Sequence, residues 1–316
     1  MRVFVAGGTG AIGHYLVPQL VAAGHDVRAT TRSRTKSALI RSWGAKPVVV
    51  DGLDRDHLIE AVQVVRPDVL IHEMTAIDPG GTLRHFDAEF AVTNQLRTLG
   101  TDNLLAAARK AGVGRVIAQS FTGWTNAVDG AGPKTEDDPL DPDPPQSMRE
   151  SLAAIAYLER TVTGATDLDG LALRYGMFYG PGFAPLADAV RRRKLPVVGN
   201  GEGVWSFIHL ADAASATVAA LERGGPGLYN VVDDEPAPVS VWLPYLAEAV
   251  GAKPPMHLPA WAGKMAAGEA VVSMMTRIKG SSNAKAKRAL GWQPSYASWR
   301  EGFRVGLEDP TDRPAA

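Results

Sequence analysis

The segment VFVAGGTGAIGHYL, residues 3–16, constrains the fold more than any other stretch of the chain. An apolar, β-branched run at 2–6 passes directly into Gly7, Gly10 and Gly13, and an apolar helical pattern follows with Leu16, Leu20 and Val21. Glycines between a strand and a helix permit a tight turn and leave the backbone bare. A pyrophosphate can then approach the free N–H groups and the positive end of the helix dipole. Thr9, Ala11 and Ile12 complete the turn and would lie against the same ligand. The alternative is a tight turn that binds nothing.

Runs of the same kind recur at 26–30, 47–50, 69–72, 115–119 and 171–174, separated by helical patterns such as Leu104, Leu105 and Ala108. Such alternation is the signature of βαβ units, so the spacing predicts an α/β protein with a doubly wound parallel sheet. Residues 228–232 could add a strand. Beyond 175 the alternation weakens. The expected organisation is a dinucleotide-binding domain over 1–175, rejoined by about 203–233, and a smaller, mainly helical substrate lobe from 176–202 and 234–316. Pro18 falls inside the first helix, where a lost hydrogen bond costs about 3 kcal/mol and predicts a kink. The stretch 129–146, rich in Pro and Asp, reads as a surface loop near the site.

Composition narrows the ligand. With 45% hydrophobic and 21% charged residues among 316, the chain is globular, and 33 Lys and Arg nearly balance 34 Asp and Glu. No strong field favours nucleic acid or an anionic membrane, so a small-molecule substrate is expected. The absence of cysteine excludes disulfides, thiolate metal sites and a cysteine nucleophile. No signal-peptide pattern and no run of 18 apolar residues is seen, and a soluble, cytoplasmic protein is expected. His72 with Glu73, and His209 with Asp212, lack paired metal-ligand spacing and read as structural; no metal is expected.

The G-x-x-G-x-x-G spacing resembles the short-chain dehydrogenase/reductase superfamily, especially its extended branch, the NAD-dependent epimerase/dehydratase family. Further segments are similar in order: VVVDGLD, VLIHEMTA, RYGMFYGPG, WSFIHLADAASA and ALGWQP. The resemblance implies a Rossmann-type fold. It also implies that Asp51 holds the adenine amino group beside Gly52 and Leu53. Glu73, Met74 and Thr75 would lie near the dinucleotide, and Tyr175 and Phe178 on the nicotinamide side. Helices beside the fourth and fifth strands often pair in such proteins, and Leu96, Leu99 and Leu104 would suit a homodimer.

At the end of the second strand an NAD site usually offers an acidic side chain to the ribose. This chain has Thr30, Thr31 and Arg32, then Arg34 and Lys36, with no acid between Val27 and Val50. A guanidinium pairs well with a 2′-phosphate, which favours NADP, with NAD possible. The alternative is that these basic residues begin a solvated helix.

The resemblance implies a Ser or Thr acting with a Tyr-x-x-x-Lys pair. Ser120 and Thr122, at the mouth of the fifth strand, are the candidate catalytic hydroxyls. The pair itself is missing: in SLAAIAYLERTV, aligned by Glu159, Ser151 stands at the Tyr position and Ile155 at the Lys position. Three readings stay open: an NADP(H)-dependent oxidoreductase drawing its proton elsewhere, with Tyr175 or Tyr179 as candidates; a non-catalytic NADP-binding sensor or scaffold; and a nucleotide-sugar epimerase or dehydratase. Arg191 to Lys194 read as a solvated helix end, and 261–278 as a core face or an apolar substrate pocket. Arg174 and Arg277 are candidates for charge beside the cofactor or substrate.

Overall fold

The structure, a computed structural model, describes residues 1–77, 81, 83–182 and 184–307. Position 183 and positions 308–316 of the expected lobe lie outside these residues. Seven strands form one parallel sheet: β1 (Arg2–Ala6), β2 (Asp26–Thr31), β3 (Lys46–Val49), β4 (Val69–His72), β5 (Arg115–Phe121), β6 (Asp169–Tyr175) and β7 (Gly227–Val231). Their order is β7-β6-β5-β4-β1-β2-β3, so the chain reverses direction of travel between β1 and β4. A crevice opens at such a switch point, beyond the carboxyl ends of the strands.

Both faces of the sheet are covered, which is why the strands read as continuous apolar runs. Val3, Val5 and Ile71 face one core with Leu16 and Leu20, while Phe4 and Leu70 face another with Leu58 and Leu104. Helix α1 (Gly13–Ala22) runs through Pro18 without a break. Helix α2 spans Arg149–Thr163, and α3 spans Leu210–Glu222.

The C-terminal third contributes short helices, including Val239–Ala249, Glu269–Thr276 and Trp299–Val305. A third core joins Trp205, Phe207, Trp242, Trp299 and Phe303 to Met274 and Met275. Most apolar side chains of 261–278 therefore serve packing, although Trp261 and Met265 are exposed. Helix Ala284–Leu290 instead packs its Ala286 and Leu290 on the β1 core. Arg191 to Lys194 are exposed, as expected of a solvated helix end. The stretch 129–146 is irregular but not loose: Lys134 is buried, its N–H donates to Gly280 O at 2.7 Å, and its carbonyl accepts from Ser282 N at 2.8 Å. The choice of residues expected to suit a homodimer is corrected in part. Leu96 and Leu104 are buried in this chain's own core, and of the three only Leu99 is exposed. Among the described residues no helix is long and apolar enough to cross a membrane.

Candidate functional site

A cleft of about 1340 Å³ lies at the switch point. Its middle is the glycine turn, where Gly7, Thr9, Gly10, Ala11, Ile12 and Gly13 all line the wall. Two of the glycines are required by the turn itself. Gly7 has φ +92°, and a side chain there would strike the Glu73 carbonyl; one at Gly13 would strike the Gly8 carbonyl. Gly10 differs, because its added Cβ would meet only Gly7 O, at 3.3 Å. The space above Gly10 is thus left open to the cleft, and α1 starts without a side-chain cap. Free N–H groups at a helix start beside an open backbone suit an anionic pyrophosphate.

One end of the cleft carries Thr31, Arg32 and Lys36 on one side and Asp51 and Gly52 on the other. Thr30 Oγ1 accepts from Gly7 N at 2.9 Å, and Thr31 Oγ1 accepts from Ser33 N at 3.2 Å. These hydroxyls hold the turn and the strand end, which leaves Arg32 and Lys36, both exposed, as the groups able to meet a phosphate. Asp51 Oδ1 accepts from Leu53 N at 3.0 Å. Leu53 itself does not line the cleft. Met74 and Thr75 do, and the Met74 sulfur fills the place a side chain at Gly52 would need.

The other end is formed by Gln119, Phe178, Pro181 and Leu210. Here the sequence expectations need correction. Ser120 donates to Glu159 Oε1 at 2.6 Å, and Glu159 in turn pairs with Arg174 at 2.7 Å, all three buried. Thr122 shares a 2.6 Å hydrogen bond with Ser281 and accepts from Asn126 Nδ2 at 3.0 Å. Neither hydroxyl lines the cleft. The residue of β5 that does is Gln119, one step out of phase, because successive strand side chains point to opposite faces. Arg174 is a structural ion-pair partner, and Arg277 is exposed.

Tyr175 is also displaced from its expected role. It is fully buried, donates to Glu73 Oε1 at 3.2 Å and shares a 2.6 Å hydrogen bond with Thr217. Burial pushes its hydroxyl well above the usual range. Tyr179 is likewise buried in the third core, and burial raises its hydroxyl. Neither can readily ionise. Glu73 lines the cleft, and burial pushes its carboxyl up to about 8. His72 is held by Leu96 O at 3.2 Å, and burial lowers it to about 4. His209 bonds to Gly306 O, while Asp212 accepts from the Ser295 and Tyr296 N–H groups.

The positions where the resemblance called for Tyr and Lys lie on α2. Ser151 is buried and donates to Asp87 Oδ1 at 2.6 Å, and Asp87 also accepts from the Glu150 and Ser151 N–H groups. Ile155 is buried in the third core. No proton-transfer pair stands there.

Residues 3–231 match the NAD-dependent epimerase/dehydratase family. The chain is 43% identical over 310 residues to a 3-diazoavenalumate denitrifying reductase from a Streptomyces species, covering 96% of this chain and 99% of that one. It is 32% identical to a 4-hydroxy-2-methyl-3-oxo-4-farnesyl-3,4-dihydroquinoline-1-oxide ketoreductase from Stigmatella aurantiaca, covering 84% and 79%. Among solved structures, the UDP-glucose 4-epimerase of Thermus thermophilus in complex with NAD superposes with a TM-score of 0.75 at 26% identity, covering 97% and 98%. With its glycine turn, its switch-point cleft and this match through β7, the chain belongs to the NAD-dependent epimerase/dehydratase family.

Proposed function

We propose that this chain is an oxidoreductase that moves a hydride between NADP(H) and a small electrophile which needs no proton from the enzyme. The observation that carries the reading is the fate of the two α2 positions, Ser151 bound to Asp87 and Ile155 packed in the core. A carbonyl taking up hydride becomes an alkoxide and needs a nearby acid. At the acceptor end of this cleft Gln119, Phe178, Pro181 and Leu210 supply no proton; of the protic groups beside them, the Tyr15 hydroxyl is engaged on Pro181 O and the Glu73 carboxyl is held against buried Tyr175, with no Tyr-Lys pair to relay a proton.

A diazonium group fits that environment. Hydride adds to its terminal nitrogen to give an aryl diazene, which loses N₂ while its N–H hydrogen passes to the aryl carbon. Hydride, charge and nitrogen balance with no proton added from outside. The name of the relative at 43% identity, a diazo-substrate reductase, supports this acceptor class. Gln119 orients the acceptor through its amide, and Ser120 and Thr122 brace the strand behind it. Bound NADP(H) supplies the hydride; Arg32 and Lys36 select it over NAD(H) by pairing with the 2′-phosphate.

The test is NADPH oxidation with an arenediazonium substrate, measured together with N₂ release. Deuteride from the 4-position of the cofactor is expected on the aryl carbon. Turnover of carbonyl compounds with no reaction of the diazonium would replace this reading with that of a ketoreductase. Tight NADPH binding with no turnover of either class would favour a sensor.

A further inference from the structure

The cleft has one buried ionisable side chain that hydride transfer does not use. Glu73 follows β4, and its backbone carbonyl packs under Gly7, so it sits where the glycine turn passes into the Gln119 and Phe178 end. A dinucleotide with its pyrophosphate on the turn and its adenosine toward Arg32 and Asp51 must send its nicotinamide half to that end. The side chain is 3% exposed; Oε1 accepts from Tyr175, and Oε2 is buried without a partner. An orphaned carboxyl oxygen in an apolar setting favours the neutral acid, whereas a nearby positive charge favours the carboxylate.

No such charge comes from the protein among the described residues. On β6, Tyr175 is neutral, and Arg174 points to Glu159. On α3, Thr217 bonds to Tyr175, and Asp212 caps Ser295 and Tyr296. On α1, His14 bonds to Gly10 O, and Tyr15 donates to Pro181 O. His72, next along β4, turns to Leu96 O. On β5, Gln119 is uncharged.

We propose that Glu73 senses the oxidation state of the cofactor: its carboxyl is neutral in the empty cleft and gives up its proton when a cationic, oxidised nicotinamide lies beside it. This rests on the NADP(H) reading above. The two oxidation states differ by one positive charge on the ring, so ionised Glu73 holds NADP⁺ more tightly than NADPH. Burial places the carboxyl at about 8, inside an accessible pH range.

The experiment measures Kd for NADP⁺ and for NADPH by calorimetry between about pH 6 and about pH 9.5. The 2′-phosphate is common to both and cancels in the ratio. In the wild-type protein, Kd(NADP⁺)/Kd(NADPH) is expected to fall about tenfold as the pH rises, a one-unit linkage. Glu73→Gln should make the ratio flat. Tyr175→Phe removes a hydrogen bond that favours the carboxylate and should move the transition to higher pH. In the wild type alone, binding of NADP⁺ near neutral pH should release about half a proton, which NADPH binding does not, seen as a dependence of heat on buffer. A flat wild-type ratio, or the same fall in Glu73→Gln, would overturn the proposal. Failure of both cofactors to bind at any pH would overturn the NADP(H) reading itself, and this proposal with it.

Discussion

Glu159 grips Arg174 through both carboxylate oxygens, at 2.7 Å from Nε and 2.7 Å from Nη2, and its Oε1 also takes the Ser120 hydroxyl at 2.6 Å. Both side chains are almost wholly buried. Removing one partner strands a charge in the core, which costs about 3–5 kcal/mol, whereas losing one hydroxyl donor to a charged carboxylate costs roughly 1.5–3 kcal/mol. Glu159→Ala should therefore lose more stability than Ser120→Ala in urea unfolding. Ser120→Ala should keep its NADPH affinity and, with any active substrate, near wild-type turnover. A hundredfold loss of turnover would restore Ser120 to the chemistry.

The glycines of the turn separate into two classes. Gly10→Val meets the protein only in a tight 3.3 Å contact with Gly7 O but occupies the space above the turn, and it should abolish dinucleotide binding while thermal unfolding stays cooperative. Gly13→Ala meets the Gly8 carbonyl and should lower stability as well. Binding titrations paired with melting curves on the two variants check the distinction.

Arg32 and Lys36 are the cations left to meet a 2′-phosphate. A charge-assisted hydrogen bond is worth roughly 1.5–3 kcal/mol, so Arg32→Ala should weaken NADPH binding by about 10- to 100-fold. Affinity for NADH, which lacks that phosphate, should hardly change. Equal losses for both would show that the arginine contacts some shared part of the cofactor.

Two buried acids give the fold a pH signature. Burial raises Glu73 and Asp233 to about 8, against about 4 for such groups in an unfolded chain. Each is protonated in the fold where the unfolded chain has already released its proton. Their stabilisation is full below about pH 4 and is lost as the pH rises toward 8, by at most about 1.4 kcal/mol per pH unit for each group. His72, lowered to about 4, acts in the opposite sense below its ordinary range, so from about pH 6.5 to 8 the two acids act without it, and exposed His57, raised by its hydrogen bond to Asp54, adds to the decline in the same sense. Urea unfolding across that window should show declining stability, and Asp233→Asn should flatten part of the decline.

The sheet, the glycine turn and the cofactor cleft were legible because each is written in contiguous residues: a β-branched run, then glycines, then a helical period. The acceptor end was not. Choosing Gln119 over Ser120 required the phase of β5, and that phase is fixed by Glu159, a partner 39 residues from Ser120. Tyr175 sits in a segment that resembles a nicotinamide loop, yet its side chain turns to Thr217, 42 residues on. The loss of the Tyr-Lys pair could be read directly. That Asp87 caps the same helix, holding Ser151, could not, because the two meet only across 64 residues.

The clamp on Lys134 bears on how the protein is made. Thr122 and its partner Ser281 are 159 residues apart along the chain, and the Gly280 and Ser282 backbone groups that hold Lys134 flank the same point. Translation at roughly 5–20 residues per second puts about 8–30 s between the emergence of the two sides. During that interval the nascent sheet carries its glycine turn while the 129–146 segment is still unfastened. The mouth of β5 is therefore closed by residues made long after it, and a chain interrupted before Gly280 lacks the clamp as well as the Ala286 and Leu290 contacts on the β1 core.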